Sequence, residues 1–166
     1  FSSELHLNNI DDEFLELCKY SKMNGLKFGI ESAVEEVRDS VSRFSVTNDK
    51  QKLIIDKIKR AGIKTVGMFI LAQPADTRET CLETIDYACS LNLDVAQFSI
   101  FTPYPGTPYY KKNISKVKNL EFQNFNQYQL VYEHDSIDEI EARELLESAY
   151  KKFIVSKFKN ICSRSN

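Results

Sequence analysis

The chain has 166 residues, of which 42% are hydrophobic and 28% charged, with a formal net charge of −2. These values are typical of one globular domain with a core. They exclude the broad basic surface that nucleic-acid binding requires, and no apolar run approaches the roughly 20 residues of a membrane span. We therefore expect neither nucleic acid nor a membrane as a partner.

The first elements alternate between strand and helix. A weak alternation predicts a short strand over 3–7, and Asp11 or Asp12 can cap the helix that follows. Asn24-Gly25 ends that helix, and a short buried strand covers 26–30. The inward side of the helix is predicted to carry Phe14, Leu17, Cys18 and Ser21.

Two further helix–strand pairs follow. A helix over 49–61 ends at Gly62, and residues 63–71 are apolar almost throughout, which predicts a strand buried on both faces. Asp76 and Glu79 form a possible capping box for the next helix, and a strand covers 95–101. Repeated strand–helix–strand units predict a mainly parallel sheet covered by helices.

The C-terminal part is predicted to form a helical tail. Ser136 and Glu139 form a possible capping box, from which a long helix runs to about Phe158. Four apolar side chains are spaced to dock on another surface: Leu146, Ala149, Phe153 and Ile154.

The four cysteines do not form a metal-binding motif. Cys18, Cys81, Cys89 and Cys162 include no Cys-x2-Cys pair, so we expect no zinc site and no metal ligand in this chain. Few cysteines and the absence of a signal sequence favour a reducing cytoplasm.

Candidate site residues follow three predicted strands. Because ligands of parallel α/β folds bind beyond the carboxyl ends of the strands, these side chains are expected to share one pocket. They are Glu31 and Ser32, then Gln73 and Asp76, and then Thr102, Tyr104 and Thr107.

Position alone leaves these roles open. The carboxylate of Glu31 can accept hydrogen bonds from a ribose or an amine, or it can favour the start of the next helix. Gly29 would let a ligand approach the backbone closely. The proline-rich loop 103–108 can form a pocket wall or simply turn the chain. His6 and His134 have no neighbour at metal-ligand spacing and are expected to have structural or surface roles.

Four stretches together resemble the radical S-adenosylmethionine (SAM) superfamily. The branch with the strongest likeness is the cobalamin-binding-domain-associated type, which includes the anaerobic Mg-protoporphyrin monomethyl ester cyclases. The stretches are Phe28-Gly-Ile-Glu-Ser32, residues 61–74, residues 77–85 and residues 97–108.

The resemblance implies a fold and a set of site residues. The fold is a partial (β/α) barrel, with its C-terminal half at 1–110 and a C-terminal extension at 111–166. Glu31 and Ser32 would contact the ribose and methionine portion of SAM. The adenine side would be formed by Ile70, Leu71, Ala72 and Gln73, and the substrate side by Thr102, Tyr104 and Thr107.

The resemblance also implies a chemistry that this chain cannot perform alone. In the family, a [4Fe–4S] cluster cleaves SAM reductively, and the resulting radical abstracts a hydrogen atom from a small-molecule substrate. The cluster is held by a Cys-x3-Cys-x2-Cys motif, which this sequence lacks. We therefore expect a fragment with no residue that is catalytic by itself and no bound cofactor, whose N-terminal half of the barrel lies upstream. The full-length enzyme would use SAM and the cluster, with cobalamin as a further candidate cofactor.

Two departures from the family pattern leave alternatives. Ala33, Ala72 and Ala75 stand where the family usually has glycine, which restricts the backbone near adenine. A cluster-free α/β domain that binds a small ligand or a partner is one alternative, and an enzyme using Glu31 as acid or base is another. Half a barrel also leaves an outer strand, near Leu5 or 26–30, whose exposed edge predicts a homodimer or another cover.

Overall fold

A computed structural model describes residues 2–41, 46–118 and 121–163, with side chains described through Phe158. Three short 3₁₀ turns cover Leu7–Asn9, Ile114–Lys116 and Phe122–Asn124. The strands are β1 (Ser2–Glu4), β2 (Gly25–Glu31), β3 (Lys64–Leu71) and β4 (Val95–Ile100). The helices are α1 (Asp12–Tyr20), α2 (Glu35–Ser40), α3 (Asn48–Arg60), α4 (Arg78–Ser90), α5 (Pro108–Lys112) and α6 (Glu139–Ser163).

The four strands form one parallel sheet in the order β1-β2-β3-β4. Each strand is followed by helix before the next strand begins, so every connection is a crossover of the βαβ type. The predicted fold class, a parallel sheet with helices and a C-terminal helix, is confirmed.

Helices cover one face of the sheet. Alternate residues of β2, β3 and β4 are buried against them, and Phe28, Phe69 and Phe98 are fully buried. The opposite face is open, because Met68 and Ile70 are only half-buried. The prediction that 63–71 is buried on both faces is therefore wrong. Its apolar residues line a concave surface instead of a second core.

Helix α6 docks on the sheet through aromatic side chains. The Phe98 ring lies 5.4 Å from Tyr150 and 6.3 Å from Phe153, both edge-on. Leu146 and Ala149 are buried beside them, as predicted, but Ile154 is 52% exposed. Leu17 of α1 is also exposed, whereas Leu15 takes the inward position. In each helix the predicted inward face thus includes one side chain that is exposed to solvent.

Two of the helices are capped by residues other than the predicted ones. Thr77 caps α4 in a reciprocal pair with Thr80, so Asp76 and Glu79 do not form a capping box. Asp138 accepts a hydrogen bond from the Glu141 N–H at the start of α6, in place of the predicted Ser136. Asp11 caps α1 and Gly62 takes a left-handed φ of 77° after α3, as predicted.

The two edges of the sheet differ. At the β4 edge, the Tyr150 hydroxyl donates to the Phe98 carbonyl and accepts from its N–H, and the Ile100 N–H donates to the Gln127 carbonyl. At the other edge, β1 has three exposed residues, and the strand with which it pairs among the described residues is β2, at Gly25–Lys27. The outer strand is thus β1, not 26–30. In the described part of the chain, no helix is long and apolar enough to cross a membrane.

Candidate functional site

A cavity of about 690 Å³ opens at the carboxyl ends of β2, β3 and β4. The concave faces of β3 and β4 form its floor, through Met68 and Ser99 among others. The structure brings together along its wall six of the predicted site residues: Glu31, Ile70, Gln73, Thr102, Tyr104 and Thr107.

Glu31 ends β2 in an unusual conformation. Its φ is +69°, and the pairing of β2 with β3 shifts register between Gly29 and Glu31. The side chain folds back over Gly29, where a Cβ atom would lie 2.6 Å from the Glu31 carboxylate oxygen Oε1. Gly29 therefore makes room for Glu31 itself, rather than for a ligand at the backbone. The result is a carboxylate held at the cavity rim.

Three predicted residues turn away from the cavity. Ser32 is fully buried, and its hydroxyl pairs with Thr84 at 3.0 Å and accepts from the Val34 N–H at 3.1 Å. Leu71 and Ala72 are fully buried in the helix-covered core. These side chains hold the ends of β2 and β3 in place and are not cavity walls.

The loop after β3 carries an unsatisfied polar atom. Gln73 is fully buried, and its side-chain nitrogen donates to the Ile70 carbonyl at 3.2 Å. Among the buried side-chain nitrogen and oxygen atoms of the described residues, its oxygen Oε1 is the one that has no hydrogen-bond partner. Leaving such an oxygen unpaired costs about 1–3 kcal/mol. Gln73 is also among the residues that line the cavity, so this oxygen is a candidate acceptor for a bound ligand.

Asp76 fixes the backbone of the same loop. Its carboxylate accepts hydrogen bonds from the Gln73 N–H at 2.8 Å and from the Thr80 hydroxyl at 2.6 Å. Asp76 is almost fully buried, and burial raises the pKa of its carboxyl even though these hydrogen bonds oppose the rise. The residue is structural and does not line the cavity.

The proline-rich loop is held by its own threonines. Thr102 donates to the Ile100 carbonyl at 3.1 Å, and Thr107 donates to the Tyr104 carbonyl at 2.7 Å while accepting from the Tyr110 N–H at the start of α5. The Tyr104 hydroxyl accepts from the Gln127 side chain at 2.8 Å. The Tyr104 ring is 40% exposed at the cavity mouth.

The structure adds residues that the sequence did not indicate. Glu4 of β1 lies on the same side of the cavity as Glu31. Among the described residues that line the cavity, Lys112 of α5 is the one with a positively charged side chain. Gln127 and Tyr109 complete the wall. No local motif marks these residues. Glu4 comes from β1, and Gln127 lies beside β4, where its carbonyl accepts from the Ile100 N–H.

The described residues offer no cluster site. They contain no group of three or more His, Cys, Asp or Glu able to hold a metal. Cys18 and Cys81 are buried on α1 and α4, and burial is the main cause that raises the pKa of each thiol. The side chain of Cys162 lies outside the described residues.

Comparison with known proteins places the chain in context. No protein-family model matches it. Its sequence is 27% identical over 147 residues to the anaerobic magnesium-protoporphyrin IX monomethyl ester cyclase of Rubrivivax gelatinosus, covering 89% of this chain and 26% of the cyclase. The fold matches coproporphyrinogen III oxidase (HemN) from Escherichia coli, described as a radical SAM enzyme, with a TM-score of 0.66 at 18% identity over 93% of this chain and 32% of the oxidase.

A second solved structure agrees. TsrM from Kitasatospora setae, a radical SAM methyltransferase solved with cobalamin and a [4Fe-4S] cluster, matches with a TM-score of 0.63 at 18% identity over 72% of this chain and 24% of TsrM. The predicted resemblance is confirmed. The chain spans about a quarter of the length of the cyclase that it matches.

Proposed function

We propose that this chain, which resembles radical SAM enzymes over most of its length, supplies the part of such a barrel that binds the adenosine end of SAM and one wall of the substrate cavity. The observation that carries this proposal is that Gln73, whose buried side-chain Oε1 has no hydrogen-bond partner, is among the residues that line the cavity bordered by Glu31. An adenine amine is a suitable donor for the first oxygen, and ribose hydroxyls suit the carboxylate.

The remaining walls suit a small organic substrate. Tyr104 and Thr107 lie beyond β4, on the side of the cavity away from β2. Lys112 gives this side a positive charge, while Glu4 and Glu31 give the opposite side negative charges. Such a cavity orients a ligand that is polar at both ends.

The family's iron–sulfur chemistry does not fit the residues described. A cluster with bound SAM would supply the radical chemistry, but in the described part of the chain Cys18, Cys81 and Cys89 belong to no group of three or more residues that could hold a metal. We assign to this chain the binding of the nucleoside and substrate only. Cluster ligands, and cobalamin binding if the whole enzyme uses it, are assigned to other parts of that enzyme.

The alanines at family glycine positions do not narrow the cavity. Ala33 and Ala72 are buried and neither lines the cavity. Ala72 has a φ of +55°, so its methyl group causes backbone strain rather than blocking a ligand. The alternative, a cluster-free domain that binds a different ligand, predicts no recognition of the adenosyl group.

Calorimetric titration with S-adenosylhomocysteine tests the proposal. Glu31→Ala and Gln73→Met should each weaken binding about tenfold, because each removes a hydrogen-bond acceptor. Glu13→Ala and Gln123→Met are matched controls, since both residues are exposed away from the cavity. Equal affinity in all five proteins, or no binding to any of them, would overturn the proposal.

We also propose that another β-strand pairs with the exposed edge of β1. This strand would come from the rest of the barrel or from a second copy of this chain. The Leu5 N–H donates to the Lys27 carbonyl, so the N–H of Glu4 points outward. Glu4→Pro should block pairing at this edge with little loss of stability, whereas Ser3→Pro should disrupt the pairing with β2. Light scattering that shows a monomer unaffected by Glu4→Pro would contradict a dimer through this edge.

A further inference from the structure

The C-terminal part of the chain contacts the loop after β3 through two side chains. The Tyr132 hydroxyl donates to the Ala72 carbonyl at 2.7 Å, and the His134 Nε2 lies 2.8 Å from the Gln73 carbonyl oxygen. Both bonds cross about sixty positions of sequence. Tyr132 is buried, with its ring edge-on to Phe101 at 5.6 Å.

The surroundings of His134 fix its tautomer. Its Nδ1 accepts hydrogen bonds from the Ser136 N–H at 3.0 Å and the Ile137 N–H at 3.1 Å. Because Nδ1 is an acceptor, the ring proton lies on Nε2 and is donated to the Gln73 carbonyl. The imidazole therefore joins the loop after β3 to the turn that begins α6.

Both peptide groups that flank Gln73 are thus held. Asp76 accepts its N–H at 2.8 Å, and His134 donates to its carbonyl. The preceding residue, Ala72, is in the left-handed region, where an alanine stays only if the surroundings hold it. The hydroxyl of Tyr132 on the Ala72 carbonyl provides that restraint. The Gln73 side chain is itself tied to the end of β3 by its hydrogen bond to the Ile70 carbonyl.

We propose that Tyr132 and His134 are positioning residues, which hold the Ala72–Gln73 backbone and thereby keep Gln73 in its place among the residues that line the cavity. The value of this position for a nucleoside rests on the proposed function. The restraint itself does not, and it can be measured without a ligand.

Two substitutions separate the two nitrogen atoms of His134. Asparagine keeps an acceptor near the position of Nδ1 but loses the donor to Gln73, whereas glutamine keeps a donor with the reach of Nε2 but loses the short acceptor. Tyr132→Phe removes only the hydroxyl. His6→Asn and Tyr128→Phe are matched controls, because both residues are exposed.

Hydrogen exchange of the Gln73 amide, read by NMR, is the test. His134→Asn and Tyr132→Phe should speed exchange about fivefold to tenfold, the size expected for one lost hydrogen bond. His134→Gln should stay within about twofold of the wild type at Gln73 and should instead speed exchange at Ile137. The controls should change neither amide.

The outcomes separate the two proposals. If His134→Asn and His134→Gln speed the Gln73 and Ile137 amides equally, or if neither changes Gln73, the positioning role is overturned. If the predicted pattern appears but S-adenosylhomocysteine does not bind the wild type, the proposed function fails and the positioning role is supported. If the predicted exchange pattern appears and the wild type binds S-adenosylhomocysteine, His134→Asn should also weaken that binding by about the factor by which it speeds exchange at Gln73.

Discussion

The two ends of the sheet are built differently. At the amino end, the Asp94 carboxylate accepts hydrogen bonds from the Thr65 N–H, the Thr65 hydroxyl and Lys59, and the Asp94 N–H donates to the Thr65 carbonyl. Left-handed residues there are Gly62 and an exposed Lys22 at the end of α1. At the carboxyl end, Glu31 and the buried Ala72 are left-handed, and Gln73 Oε1 has no partner.

The difference separates stability from binding. Asp94, Thr65 and Lys59 at the amino end satisfy one another, so they stabilise the fold. The carboxyl end keeps backbone strain, a buried carboxyl and an unpaired oxygen, each of which costs stability. Such costs persist where a site must be shaped before its ligand arrives.

The largest expected effect is at the amino end. Asp94→Asn should lower the free energy of unfolding by about 2 kcal/mol at pH 7, because it weakens the hydrogen bonds to Thr65 and the ion pair with Lys59. Denaturant unfolding measures this cost. Asp39→Asn, at an exposed position of α2, is the control and should change little. A loss of S-adenosylhomocysteine binding in folded Asp94→Asn would contradict the division between the ends.

The pH dependence should have opposite sign at the two ends. For Asp94, burial raises the pKa, but hydrogen bonds from Lys59 and Thr65 outweigh it and bring the pKa below the ordinary value of 3.8. Its stabilisation is therefore present above pH 3.8 and is lost as pH falls through the lowered value. The cost of Asp94→Asn should shrink on acidification.

For Asp76 the sign reverses. Burial raises its pKa above 3.8, so its stabilisation is complete below that pH and is lost as pH rises through the raised value. The cost of Asp76→Asn, about 1 kcal/mol from one weakened hydrogen bond, should therefore be larger in acid than at pH 7. Unfolding at several pH values measures both variants, and parallel pH profiles would show that the ends do not differ in this respect.

A smaller effect concerns the left-handed residues. Gly62→Ala should cost about 1 kcal/mol, since φ is +77° and no heavy atom lies within 4 Å of the new methyl group, so the cost is conformational. Ala72→Gly should raise stability or leave it unchanged, because relief of strain offsets the greater freedom of the unfolded chain. Thermal unfolding measures the stability of both variants against the wild type. A loss above about 1 kcal/mol in Ala72→Gly would show that its methyl group packs too well to count as strained.

The sequence indicated the fold well because its signals are local. Alternating helical and strand patterns predicted β2, β3, β4 and the helices α3 and α4, and Gly62 marked the end of α3, whereas the short helix α2 was not predicted. Helix faces and caps were less certain, since Leu17 was predicted to point inward and the structure buries Leu15 instead. The exposure of one sheet face was missed at Met68 and Ile70, because an apolar strand has the same sequence whether its second face is covered or lines a cavity.

Strand ends located the site, but not the direction of each side chain. Position was enough to bring Glu31, Gln73 and Tyr104 to one cavity. It could not show that Ser32 turns inward toward Thr84, since that contact spans 52 positions. Tyr132 and His134 were out of reach for the same reason, because their bonds to the loop after β3 exist only in the folded chain.

The most direct test is to map where a nucleoside binds. A ¹⁵N NMR titration with S-adenosylhomocysteine compares the two ends of the same strands. Shifts concentrated at Glu31, Ile70 and Gln73, with Gly25, Lys64 and Val95 unchanged, are the predicted result. Shifts at the amino ends, or no shift at the Gln73 backbone and side-chain amides, would contradict the assignment of adenosine binding to the carboxyl end.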